Sequence, residues 1–433
     1  MNSLARIIAA AGLSIAPAAA IAAAPLQSPS ALEQFARLTS DLHRAHAGGD
    51  AASYLYSSLL MQSLLNGSPN SLLQTMLAES FAGKQQDALR SFGQFIRMGQ
   101  SNETALQPAY FDALRAAPGY ESLHTAMAAN TASISLAEQV FKLKPAAMIA
   151  EDIDYDPGAK LFYVTSVREK QILAVDMTGR ATVFANAPDA WPMVALKLDS
   201  RRRILWATEV AFDGFASVDA KDWGKSAVLI YDLDSGGLLH RIQGPPKTAL
   251  GDMTLDRDGD SIVSDGDSGG LYRVSRKTQR MERIDAGDFI SPQTPAALPD
   301  GKHVLVPDYV RGLGVLDLAT RHVSWIPMQG MHALAGIDGL YMFKSEVIAT
   351  QNGTSPERVV RFRLNPSMTV VLSESIIERQ TATLGDPTHG VVVDGFFYYI
   401  ANSGWDGLDE HGEPKPGSTP SEAIIMRTKL QPP

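Results

Sequence analysis

The stretch that decides the fold is Tyr155-Asp156-Pro157-Gly158-Ala159-Lys160-Leu161-Phe162-Tyr163-Val164. It predicts a strand, a tight turn and a second strand, because Pro-Gly and Asp-Gly supply the backbone angles that a hairpin needs. The same pattern returns at 255–263 and at 298–306. We count six such units over the last two thirds of the chain. Short strands that recur with a period of about forty residues are typical of a β-propeller.

We therefore predict a mainly β fold, a six-bladed β-propeller over residues 145–429. Phe141-Lys142-Leu143 is expected to add an outer strand to the last blade and so close the ring. The second and sixth blades carry inserts, at 211–224 and 404–420, which we expect to form loops over one face. The predicted blades are residues 147–186, 190–245, 249–286, 290–329, 334–379 and 385–429.

Residues 30–138 are predicted to be a separate helical domain. Ser30-Ala31-Leu32-Glu33 is a capping box, in which the Ser oxygen and the Glu carboxylate each accept from a free backbone amide. The stretch 78–92 resembles the centre of a tetratricopeptide repeat, with small residues at Ala78 and Ala88 and Gly83 in the turn. A generic helical bundle is the alternative. Either arrangement would offer a docking surface for a protein partner rather than chemistry.

Composition limits the classes of function. The 433 residues exceed the usual size of one core, so two domains are expected. Acidic residues number 47 against 38 basic ones, which gives a net charge of −9. Such a surface repels phosphate backbones, so we expect no nucleic-acid partner. The absence of cysteine excludes disulfides, thiol nucleophiles and Cys-ligated zinc.

Residues 1–24 resemble a secretory signal peptide. Arg6 precedes an apolar run at 7–15, and Ala18-Ala19-Ala20 offers a small-residue cleavage site. No later segment approaches the length of a membrane span, so the mature protein is expected to have none. We predict a periplasmic or secreted protein.

Candidate site residues open the innermost strand of each blade. In a propeller these starts converge on one axis, so the side chains would ring the mouth of the central channel. Several carboxylates with a carbonyl donor suit a hard cation such as Ca²⁺. The alternative is that strand starts are polar because they leave the core and because Asp favours turns. The residues are Glu151, Trp191 beside Pro192, Asp252, Gln293, Asp338 and His389.

These openings resemble the regucalcin/gluconolactonase family of six-bladed propellers and, more loosely, strictosidine synthase-like and paraoxonase-type propellers. The segment 150–156 is similar to the family's Glu-Gly-Pro segment, whose Glu binds the metal. The segment 292–302 is similar to its Pro-Asn-Gly…Ser-Pro-Asp-Gly-Lys blade, whose Asn is a ligand. The segment 337–340 is similar to its Pro-Asp-Gly segment, whose Asp is both a ligand and the proposed base. Asp152-Ile153, Gln293 and Gly251 depart from the family pattern.

The resemblance implies a divalent cation held by Glu151, Gln293 and Asp338, with Ca²⁺ favoured and Zn²⁺ or Mg²⁺ as alternatives. It implies substrate contacts from Asp252, and we add Trp191. The implied chemistry is hydrolysis of a lactone or small ester, in which Asp338 or His389 activates a water. A structural role for His389 is the alternative.

A second functional reading is a non-catalytic propeller that binds a ligand or a protein partner, with the helical domain as a docking surface. The Gln at 293 and the long inserts favour it. Gly266-Asp267-Ser268-Gly269-Gly270 spells a serine-protease nucleophile segment, but the rest of that family's pattern is missing. We interpret it as a hairpin loop, with a surface Ca²⁺ site as a minor alternative.

Overall fold

The computed structural model describes residues 29–107, 111–144, 148–328, 331–418 and 421–430. The predicted signal segment lies outside these residues. The predicted capping box is present at the first helix, where Glu33 N–H donates to Ser30 Oγ at 3.2 Å and Ser30 N–H donates to Glu33 Oε2 at 2.7 Å. The helices are α1 (Ala31–Ala47), α2 (Ala51–Leu64), α3 (Pro69–Phe81), α4 (Gln85–Arg97), α5 (Asp112–Arg115) and α6 (Tyr120–Ala129).

The helical region ends earlier than we predicted. Its last helix stops at Ala129, and two strands follow before residue 144, namely β1 (Ile134–Ser135) and β2 (Glu138–Leu143). Consecutive helices from α1 to α4 pack against one another. Their apolar side chains form one core around Leu42 and Met61 and a second around Phe92. The tetratricopeptide resemblance of this region stays a prediction.

The remaining strands form six antiparallel blades, as the hairpin pattern predicted. Blade one holds β3 (Ala150–Asp156), β4 (Leu161–Ser166), β5 (Gln171–Val175) and β6 (Ala181–Asn186). Blade two holds β7 (Met193–Asp199), β8 (Ile204–Ala211), β9 (Lys225–Asp232) and β10 (Leu238–Gln243). Blade three holds β11 (Leu250–Leu255), β12 (Ser261–Asp265), β13 (Gly270–Val274) and β14 (Met281–Arg283).

The second half of the ring repeats this arrangement. Blade four holds β15 (Ala296–Ala297), β16 (His303–Asp308), β17 (Gly312–Asp317) and β18 (Val323–Trp325). Blade five holds β19 (Leu340–Phe343), β20 (Glu346–Gln351), β21 (Arg358–Leu364) and β22 (Val371–Arg379). Blade six holds β23 (Gly390–Val393), β24 (Phe396–Asn402) and β25 (Ala423–Lys429). The predicted blade limits enclose all of these strands.

The ring closes through the strand that precedes it in the chain. β2 pairs with β25, and Phe141 lies opposite Ile425, which confirms the outer strand predicted for the last blade. β1 adds a fifth strand to blade five. The innermost strands of neighbouring blades contact each other all the way round, from β3 through β7, β11, β15 and β19 to β23 and back to β3. Their starts therefore meet at one mouth of a central channel.

The helical region packs on blades four and five. Leu72 and Met98 join the buried core that contains Ile326, Met328 and Leu334. Asn66 Nδ2 donates to Ile326 O at 2.9 Å. Among the described helices, none combines the length and apolar character needed to cross a membrane.

Candidate functional site

Three side chains from different blades meet at the channel mouth. Glu151 lies in β3, His389 directly precedes the inner strand β23, and Asp338 lies two residues before the inner strand β19. Each offers one potential ligand atom, and these atoms lie within 4.8 Å of one another. All three side chains are buried, with at most 1% of their surface exposed. Ring closure has thus brought together residues that are far apart in sequence.

Each ring nitrogen of His389 lies close to an oxygen atom. Its Nδ1 lies 2.7 Å from the backbone oxygen of Glu151, and because a carbonyl can only accept, Nδ1 carries the proton. Its Nε2 lies 3.1 Å from Asp252 Oδ1 but has no aligned hydrogen-bond partner among the described residues. With the Asp252 carboxylate beside it, Nε2 carries a proton in the charged ring and becomes a potential ligand atom only when that proton is lost.

Each carboxylate of this cluster accepts a hydrogen bond from a side-chain N–H. The Trp405 indole N–H donates to Glu151 Oε2. Asn352 Nδ2 donates to Asp338 Oδ2 at 2.9 Å. Each carboxylate therefore has one oxygen oriented by a neutral donor, which fixes the direction in which the other oxygen faces.

Burial dominates the electrostatics of the cluster. It raises the pKa of Glu151 well above its usual range, and the neighbouring Asp338 raises it further. Burial likewise raises the pKa of Asp338 to about 7, although His389 opposes the change. Burial alone would lower the pKa of His389, but the carboxylates around it, Asp252 first, outweigh burial and raise that pKa well above its usual range. The cluster has a strong tendency to hold positive charge, as protons or as a cation.

Asp152 stands where the family that the sequence resembles has glycine, and its side chain makes structural contacts with blade two. Lys197 Nζ lies 2.8 Å from Asp152 Oδ2. The backbone N–H of Leu196 also donates to Asp152 Oδ2, at 2.9 Å. These bonds tie blade one to blade two.

A narrow pocket with a cavity volume of about 30 Å³ reaches Glu151 of this cluster. It brings Asp252 and Gln293 together with Glu151. Asp252 Oδ2 accepts from Thr294 Oγ1 at 3.1 Å. Gln293 Nε2 lies 3.2 Å from Ser291 Oγ and 3.3 Å from Ser291 O, so its amide nitrogen is turned to its own blade. Loss of surrounding water raises the pKa of Asp267, which also lines this pocket, to about 6.

Trp191 lies two residues before β7 and is not among the described residues that line this pocket. It is buried in a hydrophobic cluster with Phe212 and Trp405, which both line the pocket. The guanidinium of Arg241 lies over its ring, 5.3 Å from the centroid. A direct substrate contact from Trp191 stays a prediction.

The two predicted inserts lie against one another beside the mouth. Phe215 from the blade-two insert packs against Trp405 from the blade-six insert, with ring centroids 6.3 Å apart. Ala216 N–H donates to His411 O at 2.9 Å. The serine-protease-like segment forms the loop between β12 and β13, as interpreted, and its Ser268 Oγ donates to Asp265.

Sequence reasoning missed the two donors, Trp405 and Asn352. Trp405 is the single tryptophan of the blade-six insert, which was a usable signal, since inserts over a propeller face lie near the channel. Asn352 follows β20 in a Gln-Asn-Gly sequence that also suits an ordinary turn, so no distinguishing signal was available.

Comparisons with known proteins extend the description of the fold. No protein-family model matches the chain, and no curated protein matches its sequence. The PQQ-bound aldose sugar dehydrogenase from Streptomyces coelicolor is 14% identical, with 69% of this chain and 98% of that one covered and a TM-score of 0.47. A luciferin-regenerating enzyme is 14% identical, with 69% of this chain and 96% of that one covered and a TM-score of 0.47. A streptogramin B lyase is 12% identical, with 68% of this chain and 97% of that one covered and a TM-score of 0.45. This likeness concerns the fold, a six-bladed β-propeller shared with propeller enzymes.

Proposed function

We propose that this protein is a divalent-metal-dependent hydrolase of a lactone or a related small ester. One observation carries the proposal: Glu151, Asp338 and His389 present buried ligand atoms within 4.8 Å of one another. A cluster of this size matches the separation of ligands around one ion, whose bonds to oxygen or nitrogen are about 2.0 to 2.6 Å long.

The charges of the cluster support a cation. Glu151, Asp338 and the nearby Asp252 bring three carboxylates to one buried region, and His389 alone cannot balance them. Buried charge is costly unless it is paired, so a divalent ion would stabilise the ionised carboxylates, whose pKa values burial otherwise raises. Carboxylates with the Gln293 amide oxygen favour Ca²⁺, the ion we propose. Use of the His389 imidazole as a ligand would favour Zn²⁺ instead.

The chain's own residues have distinct roles in the proposed reaction. A divalent ion held by Glu151 and Asp338 would polarise a substrate carbonyl and stabilise the negative charge that develops on its oxygen. Asp338, oriented by Asn352, would accept a proton from the attacking water. Asp252 lines the pocket and would orient the substrate. The apolar residues Phe212 and Trp405 exclude bulk water and so strengthen these electrostatic contacts.

Metal analysis of the purified protein and hydrolysis assays on lactones and aryl esters test this proposal. We expect about one divalent ion per chain, loss of hydrolysis on chelation, and recovery on adding Ca²⁺. Glu151→Gln and Asp338→Asn should each lower kcat/KM by at least about a hundredfold, as expected for a ligand that supports the transition state. Asp258→Asn, at an exposed acid of blade three, is the matched control. Hydrolysis that survives both chelation and these substitutions would contradict the proposal.

A non-catalytic binding protein is the second candidate. It is favoured by the indole of Trp405, which occupies one oxygen of Glu151, and by apolar side chains exposed on α2. Tyr56, Leu59 and Leu60 are 66%, 48% and 40% exposed there, a surface suited to a protein partner. Protein that carries no metal and hydrolyses none of the esters would support this candidate.

We also propose that the chain is exported, to a periplasm or to the medium. The support is the signal-like sequence of residues 1–24. Fractionation of cells that express the full chain, with N-terminal sequencing of the product, tests this. A product that keeps Met1 and stays in the cytoplasm would contradict it.

A further inference from the structure

The loop between β20 and β21, residues 352–357, contacts both the helical region and the site. In an antiparallel blade the second strand returns to the face at which the inner strand starts, so this loop lies at the channel mouth. Its first residue, Asn352, donates to Asp338 Oδ2 at 2.9 Å. Its last residue, Glu357, accepts at 2.7 Å from the backbone N–H of Asp386, which lies three residues before His389. One short loop therefore contacts Asp338 directly and also holds the segment that leads to His389.

Asn352 is held on both sides of its amide group. Its Oδ1 accepts from Tyr309 Oη–H at 3.1 Å, while its Nδ2 donates to Asp338. Two opposed bonds fix the plane of a primary amide, whose rotation would otherwise cost little. The backbone supports the same arrangement, because a Cβ at Gly353 would lie 2.5 Å from the Cα of Gly336.

The helical region holds this loop directly through Ser355. Ser355 N–H donates to Gln100 Oε1 at 3.2 Å, and Ser355 Oγ–H donates to Ser101 O at 2.6 Å. In return, Ser101 N–H donates to Ser355 O at 2.5 Å. Gln100 is itself 1% exposed, and its Nε2 donates to Met98 O at 3.0 Å. The helical region and this loop are therefore joined by three hydrogen bonds at a partly buried contact.

A second route reaches Asn352 from the other side. Tyr309 lies in the loop between β16 and β17, and the adjacent Val310 packs against the helical core that contains Leu42 and Met61. The backbone of Tyr309 is fixed as well, since its N–H donates to Ser291 O at 2.8 Å. The loop that contains Asn352 and the loop that contains Tyr309 therefore both pack against the helical region.

We propose that the helical region is an integral part of the site, and that Asn352 is the positioning residue through which its support reaches Asp338. The inference rests on the proposed function for its metal readout. It explains why a region with no candidate catalytic residue is packed on blades four and five, beside the mouth. Loss of the helical contacts should leave the ring closed but allow Asp338 to change orientation.

Three substitutions and one control test this. Gln100→Met removes the helical acceptor of Ser355 N–H at nearly constant volume, Tyr309→Phe removes the hydroxyl that fixes the amide, and Asn352→Ala removes the donor. Tyr231→Phe is the matched control, because its hydroxyl bonds only weakly, at 3.3 Å, to Asn186 O in another blade. Two readouts are measured on the full chain: Ca²⁺ affinity by calorimetry, and amide hydrogen exchange in metal-free protein for a peptide that covers residues 336–342.

Gln100→Met and Tyr309→Phe should each weaken Ca²⁺ binding by about three- to tenfold, the equivalent of one hydrogen bond, and speed exchange in that peptide by a similar factor. Added to Asn352→Ala, Gln100→Met should have no further effect, because it acts through the residue already removed. Wild-type exchange in both variants, or a full additional loss in the double variant, would overturn the inference. If wild-type protein binds no divalent ion, the proposed function fails and the exchange readout alone decides the inference.

Discussion

The two carboxylates of the site are oriented in the same way but supported by opposite kinds of structure. Glu151 accepts from Trp405, whose ring is embedded among apolar side chains of the two propeller inserts. Asp338 accepts from Asn352, whose loop is held by polar bonds to the helical region. The propeller thus supports one half of its site with its own inserts and the other half with a separate part of the chain.

The apolar packing around Trp405 and the hydrogen bonds of Asn352 should respond differently to substitution. Apolar packing is strong in total but tolerant of direction, because dispersion contacts are many and individually small. Hydrogen bonds contribute less in total but are sensitive to angle. We therefore expect damage on the Trp405 side to affect stability first, and damage on the Asn352 side to affect ligand geometry first.

The largest effect should come from Trp405→Ala. The side chain is 6% exposed and contacts both inserts, so its removal leaves a cavity and should lower the free energy of unfolding by about 3 to 5 kcal/mol. Urea unfolding followed by circular dichroism measures this. Trp223→Ala, at a 43% exposed tryptophan of the blade-two insert, is the control and should change stability little. Equal losses of unfolding free energy in the two variants would contradict the claim that apolar packing around Trp405 supports the site.

A smaller effect separates the packing of Trp405 from its hydrogen bond. Trp405→Phe keeps an aromatic ring but removes the N–H, which leaves Glu151 Oε2 without that donor and should cost about 1 to 3 kcal/mol of stability. Asn352→Ala should cost less stability than this, yet should weaken Ca²⁺ binding more than Trp405→Phe does. Unfolding curves and calorimetric titrations on the same samples provide both numbers. The reverse order in Ca²⁺ affinity would show that the two supports are equivalent.

The sequence could predict where the carboxylates and the histidine of the site lie, but not the side chains that support them. The starts of inner strands were predictable, because ring closure must bring Glu151, Asp338 and His389 to one mouth whatever their neighbours are. The donors were not, since Asn352 and Trp405 lie in loops whose chemistry is decided by what they pack against. Trp191 illustrates the limit: an aromatic residue beside a strand start can face the channel or the adjacent hydrophobic cluster, and only packing decides. The early end of the helices has a similar cause, because Ile134 pairs with Arg379 of blade five.

Glu209 of blade two is another buried carboxylate, and it extends the comparison because its side-chain partner is a cation. Arg241 Nε lies 3.1 Å from Glu209 Oε1, and Asp189 N–H donates to Glu209 Oε2 at 3.3 Å. Burial first, and Asp189 second, raise the pKa of Glu209 from its ordinary value of 4.5 to about 7. Even with Arg241 beside it, Glu209 therefore keeps its proton to a higher pH than an ordinary glutamate does.

This preference predicts a pH effect on stability. A carboxyl with a raised folded-state pKa binds its proton more tightly when folded, so its contribution is full below pH 4.5 and declines as the pH rises to about 7. Glu209→Gln cannot titrate, so its unfolding free energy should fall less than that of wild type over this window, while Ca²⁺ affinity stays unchanged. Glu282→Gln, at an exposed acid of blade three, should keep the wild-type slope. Identical slopes in wild type and Glu209→Gln would mean that Arg241 compensates the burial of Glu209 fully, and that a cation supports a buried carboxylate better than the neutral donors at the site do.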